Sequence, residues 1–292
     1  MLDFKEGAFL SPEDKRDWRL SSQMDLPCTS ELKKMLPQNY RVSWLPQVKN
    51  QGKVGSCTAF AMSLIYSCML HRSHWTQDDF SIVYIYGNRK DTLYRGEGAY
   101  MRDVVKAITR HGDVFYEALP GNIEMIEAMN IFNEKYEELN PQAIKLVSGY
   151  VRLYTEEEAK SWMIKYPDVP LFTAVDVNDI YGKIVTDGSH ALPLIGWDGH
   201  KAIFQNSWGK NYQYPEIEFS KIQEMWGIIP MENEKVFKDV SIDRWSASAI
   251  NEASKDGIIE GFPDGTFAPD KPLTREQVAV IWQRMKKYFE NN

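Results

Sequence analysis

From Cys57 to Leu70 the chain is apolar almost without a break, with Ala59, Phe60, Ala61, Met62, Leu64, Ile65, Cys68 and Met69 spread over every face of a helical wheel. Such a segment predicts a helix buried all round, from Ser56 to about His71. Gly52 and Gly55 let the loop before it bend, and Ser56 is placed to cap its first turn. Two amphipathic segments come next. Tyr100 to His111 sets Val104, Val105 and Ile108 on one face and stops at Gly112. Asn122 to Leu139 is longer and closes at Asn140–Pro141. A short helical candidate at Ser30–Leu36 lies in an otherwise polar first stretch, and Leu45 to Lys49 reads as extended because Pro46 disfavours helix in the residue before it.

The period then shortens. Lys145–Leu153 and Leu171–Val177 read as strands around a helix at Glu156–Tyr166, for which Thr155 and Glu158 supply a capping box. Ala191–Trp197 and Lys201–Gln205 are apolar runs joined near Asp198–Gly199, the signature of a hairpin. Pro193 within the first run implies an edge or unpaired position. Near the C-terminus, helices are expected from about Trp245 to Lys255 and from Thr274, where Thr274 and Gln277 form a second capping box. A tight Pro263–Asp264–Gly265 loop lies between them. The apolar set Val240, Trp245, Ile250, Ile258, Ile259, Phe262, Phe267, Leu273, Val278 and Ile281 would give this unit a small core.

The fold class is therefore α+β. The 292 residues carry a formal charge of −7 and no basic run, which argues against a nucleic-acid surface. No stretch approaches the ~20 consecutive apolar residues of a membrane span. The N-terminus lacks a charged-then-apolar signal segment. Cys28, Cys57 and Cys68 are too few for a disulfide framework and lack metal-ligand spacing, so neither a cofactor nor a metal is expected.

Chemistry enters at Cys57. In the first turn of a buried helix, unpaired N–H groups and the helix dipole favour the thiolate. An inert core thiol is the competing reading. A reactive thiol needs a base and a group to orient that base. His71 and His74 fall at the far end of the same helix, about 20 Å away. His111 suits a helix C-terminus, where it complements the dipole. His190 remains, and Asn206 stands on the other arm of the hairpin. A two-residue turn at Asp198–Gly199 would point these two to opposite faces. A three-residue Trp197–Asp198–Gly199 loop would set them opposite each other, with Cβ atoms about 5 Å apart. The catalytic reading therefore expects the second register, with Gly199 left-handed.

Gln51, Gly55-Ser56-Cys57, Ser189-His190-Ala191 and Asn206-Ser207-Trp208-Gly209 resemble, in type, order and spacing, the papain-like cysteine peptidases over roughly residues 37–230. The resemblance implies a helical lobe carrying Cys57 and a β-barrel-like lobe carrying His190 and Asn206, with the cleft between them. It makes Cys57 the nucleophile, His190 its base and later acid, and Asn206 the group that holds the imidazole. Gln51 and the Cys57 N–H would form the oxyanion hole, and Trp208 would shield the His190–Asn206 bond or simply fill core. Gly98 and Ala99, in Gly96-Glu97-Gly98-Ala99-Tyr100, fall where the family pairs with substrate backbone, so Gly98, Ala99 and Trp208 are the candidate substrate-binding residues. Thr58 and Val54 replace the family's usual tryptophan and disulfide cysteine. After Gly209 the K-N-Y-Q-Y-P-E segment replaces its further glycine elements, which shortens the barrel. The 1–36 arm is too short for the long inhibitory prosegment of eukaryotic members; either activity is controlled otherwise or this arm partly covers the cleft.

After a polar link at 231–236, residues 237–289 resemble an S-layer homology module nearly end to end. That resemblance implies Arg275, in T-R-E-Q, as a contact for anionic cell-wall polysaccharide, with a solvated first-turn arginine as the plainer alternative. Such modules usually occur in threes, so a single copy implies weak binding or assembly with modules of other chains. Two functions are compatible with these features. One is a cysteine endopeptidase acting on polypeptides through a Cys57 thioester and targeted to a cell wall or surface. The other is a catalytically silent surface or virion-associated binding protein with the same fold. A cell-wall peptide amidase of Cys–His type is a third option, disfavoured by the N-S-W-G segment. A wall-binding module implies a cell-surface, extracellular or virion-associated location.

Overall fold

The computed structural model describes residues 7–20, 34–74, 79–89, 97–121, 125–181, 188–231, 237–240 and 244–291. The chain divides into two compact units, one built from most of residues 1–231 and the other around 232–292.

In the first unit the Cys57–His74 helix is buried on every side from Cys57 to Leu70, as an all-apolar segment must be. Around it stand the helices Ile82–Asn88, Met101–His111 and Met125–Leu139. Val83, Tyr84, Val114, Leu119, Phe132 and Leu139 form a core cluster among them. Ile82–Asn88 escapes a periodicity reading because it has seven residues, all buried, so no polar face alternates with an apolar one. Ser81 caps it by accepting the Tyr84 N–H at 3.1 Å. Met101–His111 ends at Gly112, whose φ of 71° suits a C-terminal glycine. Asn122, the expected start of the next helix, and most of the Ser30–Leu36 candidate lie outside the described residues. Ser56 precedes the Cys57 helix, but its hydroxyl points to the Val54 carbonyl at 3.5 Å instead of to the first-turn N–H groups.

The strands are β1 (Ala8–Phe9), β2 (Asn39–Arg41), β3 (Ala99–Tyr100), β4 (Val147–Leu153), β5 (Leu171–Asp176), β6 (Ser189–Asp198), β7 (Lys201–Phe204), β8 (Glu216–Glu218) and β9 (Ile222–Pro230). They join in one curled sheet of order β3-β1-β6-β5-β9-β4, with β2 and β7 also on β6 and β8 on β7. Leu45–Lys49 is extended but forms no strand, and the adjacent Asn50 makes a single bridge to Trp208. The Glu156–Lys165 helix starts with the expected capping box of Thr155 and Glu158. Its Trp162 is fully buried against Gly227 of β9.

The hairpin forms in neither expected register. Asp198 pairs with Lys201 and Trp197 with Ala202, so the turn is Gly199–His200. Gly199 does take a left-handed φ of 55°, but at the first turn position. The register shifts by one between Gly196 and Leu194, and pairing ends at Phe204. His190 and Asn206 are therefore not a cross-strand pair. Asn206 has left the ladder and bonds Gln213 O through its own N–H at 2.8 Å. Pro193 is also not at a sheet edge, since β6 is bonded on both sides. The N and O of a strand residue point the same way, and Pro193 O accepts the Gln205 N–H at 3.2 Å, just past the end of β7. The N–H that proline lacks would face the same way, toward the point where β7 pairing has already ended at Phe204.

In the C-terminal unit the helices are Ala247–Lys255 and Arg275–Asn291. Thr274 and Gln277 exchange the expected reciprocal bonds, and Gly265 N–H closes the turn onto Phe262 O at 2.9 Å. The core is smaller than the apolar set suggested: Phe237, Val240, Ala247 and Ile250, with Phe267 against them. Trp245, Phe262, Leu273 and Val278 are exposed, because so short a unit cannot enclose them.

A Cβ at Gly227 would lie 2.5 Å from the buried Trp162 ring, which has nowhere to swing. Gly227→Ala is expected to cost about 1–3 kcal/mol by overpacking, read as a lower urea midpoint at constant m-value. Gly149→Ala, which meets the end of Ile229 at 3.2 Å and the Trp18 ring at an ordinary 3.5 Å, should shift the midpoint far less.

Candidate active site

Cys57 is the first residue of its 18-residue helix, so its sulfur sits at the positive end of the dipole. The Ala191 N–H donates to Cys57 Sγ at 3.4 Å, which sets the thiol beside the residue that comes after His190. Asn206 Oδ1 receives the N–H of its neighbour Ser207 at 2.7 Å and lies 2.9 Å from His190 Nε2. A backbone N–H can only donate, so this oxygen is identified as the acceptor and Nε2 must carry a hydrogen. In the neutral ring Nδ1 then holds the lone pair. That nitrogen is buried and has no hydrogen-bond partner among the described residues. It is also the ring nitrogen nearer the backbone that donates to the sulfur.

Trp208 stacks on the imidazole with centroids 4.5 Å apart and planes at 29°. It is almost fully buried, so it covers the ring and presents no surface to a ligand. Burial pulls the His190 imidazole down to about 4, against the Asn206 bond that favours its charged form. The ring is therefore neutral near pH 7 and able to accept a proton. Cys68 is the contrast: it is buried with its sulfur 3.7 Å from Trp44 O, and burial pushes its thiol far up.

Gln51 is brought to the same place. Its N–H donates to Ser207 O at 2.8 Å, and its Oε1 accepts the Ser207 hydroxyl at 2.6 Å. Its Nε2 donates to Val54 O at 3.0 Å, which uses one of the two amide hydrogens. Ser207 thus fixes which way the Gln51 amide faces. In the sequence this serine stands out only as part of a motif. The signal available was its place between two residues that already had roles.

Gly98 and Ala99 are both buried. The Tyr86 hydroxyl accepts the Gly98 N–H at 2.9 Å and donates to Gly55 O at 3.3 Å, while Arg89 donates to Gly98 O at 2.6 Å. The backbone of Gly98 is thereby spent inside the protein. The Ala99 N–H instead donates to Gly7 O at 2.8 Å. Arg275 is exposed at the start of its helix in the other unit. Among the described residues no group of three or more His, Cys, Asp or Glu could hold a metal, and no helix is long and apolar enough to cross a membrane.

Comparison with known proteins adds two findings. The family model of the S-layer homology domain matches residues 236–279. In the same region the chain is 42% identical over 45 residues to a cellulosome-anchoring protein of Acetivibrio thermocellus, and 41% identical over 54 residues to the outer membrane protein SlpA of Thermus thermophilus. These matches span 15% and 18% of this chain but only 10% and 6% of those proteins. Among solved structures, xylellain, a cysteine protease from Xylella fastidiosa, superposes with a TM-score of 0.59 at 21% identity, covering 77% of this chain and 95% of that one. Digestive procathepsin L 3 of the Tenebrio molitor larval midgut gives 0.52 at 17% identity, covering 73% and 74%. The chain thus carries a papain-like fold followed by an S-layer homology domain.

The depressed imidazole has a consequence for stability. Unfolding returns His190 from about 4 to an ordinary value of 6.5, so the unfolded chain binds the extra proton between those limits. The contribution is complete above pH 6.5 and is lost as pH falls toward 4, by up to about 1.4 kcal/mol per pH unit. Urea titrations from pH 7.5 to 4.5 should therefore show a shallower acid limb for His190→Gln than for the wild type; parallel limbs would contradict the assignment.

Proposed function

We propose that the chain is a cysteine-type endopeptidase, targeted to a cell wall or surface by its S-layer homology module. The observation that carries this reading is the tautomer: Asn206 holds the Nε2 hydrogen and leaves the lone pair on Nδ1, while the N–H of the next residue, Ala191, donates to Cys57 Sγ at 3.4 Å. In the proposed reaction His190 takes the thiol proton as Cys57 Sγ attacks the peptide carbonyl carbon. The resulting oxyanion would be met by the Cys57 N–H and by the Gln51 amide, a contribution typically worth ~3 kcal/mol. Collapse gives a thioester, and the leaving amine departs with the proton from His190. Water, deprotonated by the same imidazole, then hydrolyses the thioester and restores the thiol.

In this reading the peptidase domain is 37–230, preceded by an arm at 1–36 and joined through 231–236 to a module at 237–289. Arg275 is assigned to an anionic wall polysaccharide, in keeping with its exposure and with the anchoring role that the name of the Acetivibrio protein gives to that protein. A surface location is inferred from the same module. One observation favours the second reading, a silent binding protein: Cys57 and His190 are both fully buried.

The two readings separate on reactivity. Iodoacetamide should modify Cys57 ahead of Cys68, and His190→Ala should slow that modification at least about a hundredfold. Both proteins share whatever limits access, so the ratio reports the base alone. Asn206→Ala should give a smaller drop, and Cys57→Ala should abolish cleavage of a peptide library. Equal rates with and without His190 would remove the enzyme reading. Separately, Arg275→Ala should weaken co-sedimentation of the full chain with purified wall polysaccharide; unchanged binding would return Arg275 to a solvated surface residue.

A further inference from the structure

The Ile82–Asn88 helix carries a polar side chain that the proposed reaction does not use. Tyr86 is only 2% exposed, and its hydroxyl makes one bond of each kind. It accepts the Gly98 N–H at 2.9 Å and donates to Gly55 O at 3.3 Å. Burial raises this phenol above its ordinary value, so it keeps its hydrogen near neutrality and the donated bond persists. A single oxygen atom therefore joins Gly98 to the residue two before the nucleophile.

Both glycines are gripped at N and at O. Gly98 O accepts from Arg89 at 2.6 Å, and the Arg89 guanidinium lies 3.8 Å from the centre of the Tyr86 ring, which holds that ring in place. The Gly55 N–H donates to Glu97 Oε2 at 3.4 Å. Gly98 takes a φ of 94°, a conformation that suits glycine alone. The helix beneath Tyr86 has little freedom to follow a moving loop. Gly87 sits so close to Phe132 that a Cβ would fall 2.5 Å from the ring, and the Ser81 hydroxyl donates to Leu119 O at 2.7 Å. The gripped loop needs such a brace. Among the described residues Cys57 and Cys68 are both free, so no disulfide there braces residues 51–57.

Two groups depend on that loop. Val54 O, one residue before Gly55, accepts from Gln51 Nε2 at 3.0 Å, and Gly55 leads through Ser56 to the Cys57 N–H. These are the groups to which the peptidase reading assigns the oxyanion. The sulfur is held separately, by the buried helix and by the Ala191 N–H. We propose that Tyr86 is a positioning residue for the oxyanion site: by tying Gly55 to Gly98 it fixes the Gln51 amide and the Cys57 N–H relative to each other. The proposal rests on the peptidase reading and deepens it, adding a side chain outside the Cys57–His190 pair. Interactions made only in the transition state appear in kcat. Alkylation by iodoacetamide forms no oxyanion, so it reports the thiol and its base.

Tyr86→Phe keeps the ring and removes only the hydroxyl. In the full chain it should lower kcat, for a peptide the wild type cleaves, by about tenfold or more, while Cys57 alkylation changes by less than about threefold. The Gly98 amide, deprived of its acceptor, should exchange about tenfold faster or more, with Cys68 still protected as the sign of an intact fold. Unchanged kcat, unchanged Gly98 exchange, or kcat and alkylation falling in parallel would overturn the proposal. A wild type that cleaves no library peptide would sink the peptidase reading itself. Faster Gly98 exchange in Tyr86→Phe would then uphold the tether and remove only the chemistry assigned to it. If Tyr86→Phe does not fold, Arg89→Met decides by the same comparison, since it frees Gly98 O and leaves the hydroxyl in place.

Discussion

A single backbone hydrogen orders the site. The Ser207 N–H donates to Asn206 Oδ1, so that oxygen must accept, so His190 must present a hydrogen from Nε2, and so the lone pair falls to Nδ1. The same short segment sends the Ser207 hydroxyl to Gln51 and stacks Trp208 on the imidazole. Four consecutive residues, 206–209, thus hold the His190 imidazole and the Gln51 amide in a common frame. Gly209 N–H, bonded to Lys49 O at 3.0 Å, ties that frame to the extended segment leading into Gln51. Loss of any one of these bonds would leave a polar group buried without a partner, which is what makes the arrangement rigid.

Burial shapes the chemistry as much as the hydrogen bonds do. It keeps the imidazole neutral and ready to accept a proton, while the helix dipole and the Ala191 N–H favour negative charge on the sulfur. Those influences are strongest when water is excluded. The fold itself excludes water here, since Cys57 and His190 are both fully buried.

Much of this was legible in the sequence, and the remainder was hidden for identifiable reasons. The buried Cys57 helix, the capping boxes at Thr155 and Thr274, and the hairpin all arise from local patterns that tertiary context did not override. The meeting of His190 with Asn206 was expected from a particular strand register, and the contact forms without it. A bulge near Ile195 and the departure of the chain after Phe204 deliver Asn206 by another path, and neither event leaves a mark in an apolar run. The seven-residue Ile82–Asn88 helix is uniformly buried and so has no period to read. The course of residues 7–17 was invisible because its partners, Arg102, Arg152 and Glu224, are scattered along the chain and look like ordinary surface charges. In the C-terminal unit the apolar count overstated the core, since Trp245 and Leu273 remain at the surface.

The central claim is a statement about one proton, and it can be read directly. Nitrogen-15 chemical shifts of His190, assigned by comparison with His190→Gln and recorded between pH 6 and 8, report which ring nitrogen is protonated. The account predicts a protonated Nε2 and an unprotonated Nδ1, with Asn206→Ala scrambling the preference. A hydrogen on Nδ1 in the neutral ring would leave Cys57 without a base and contradict the account.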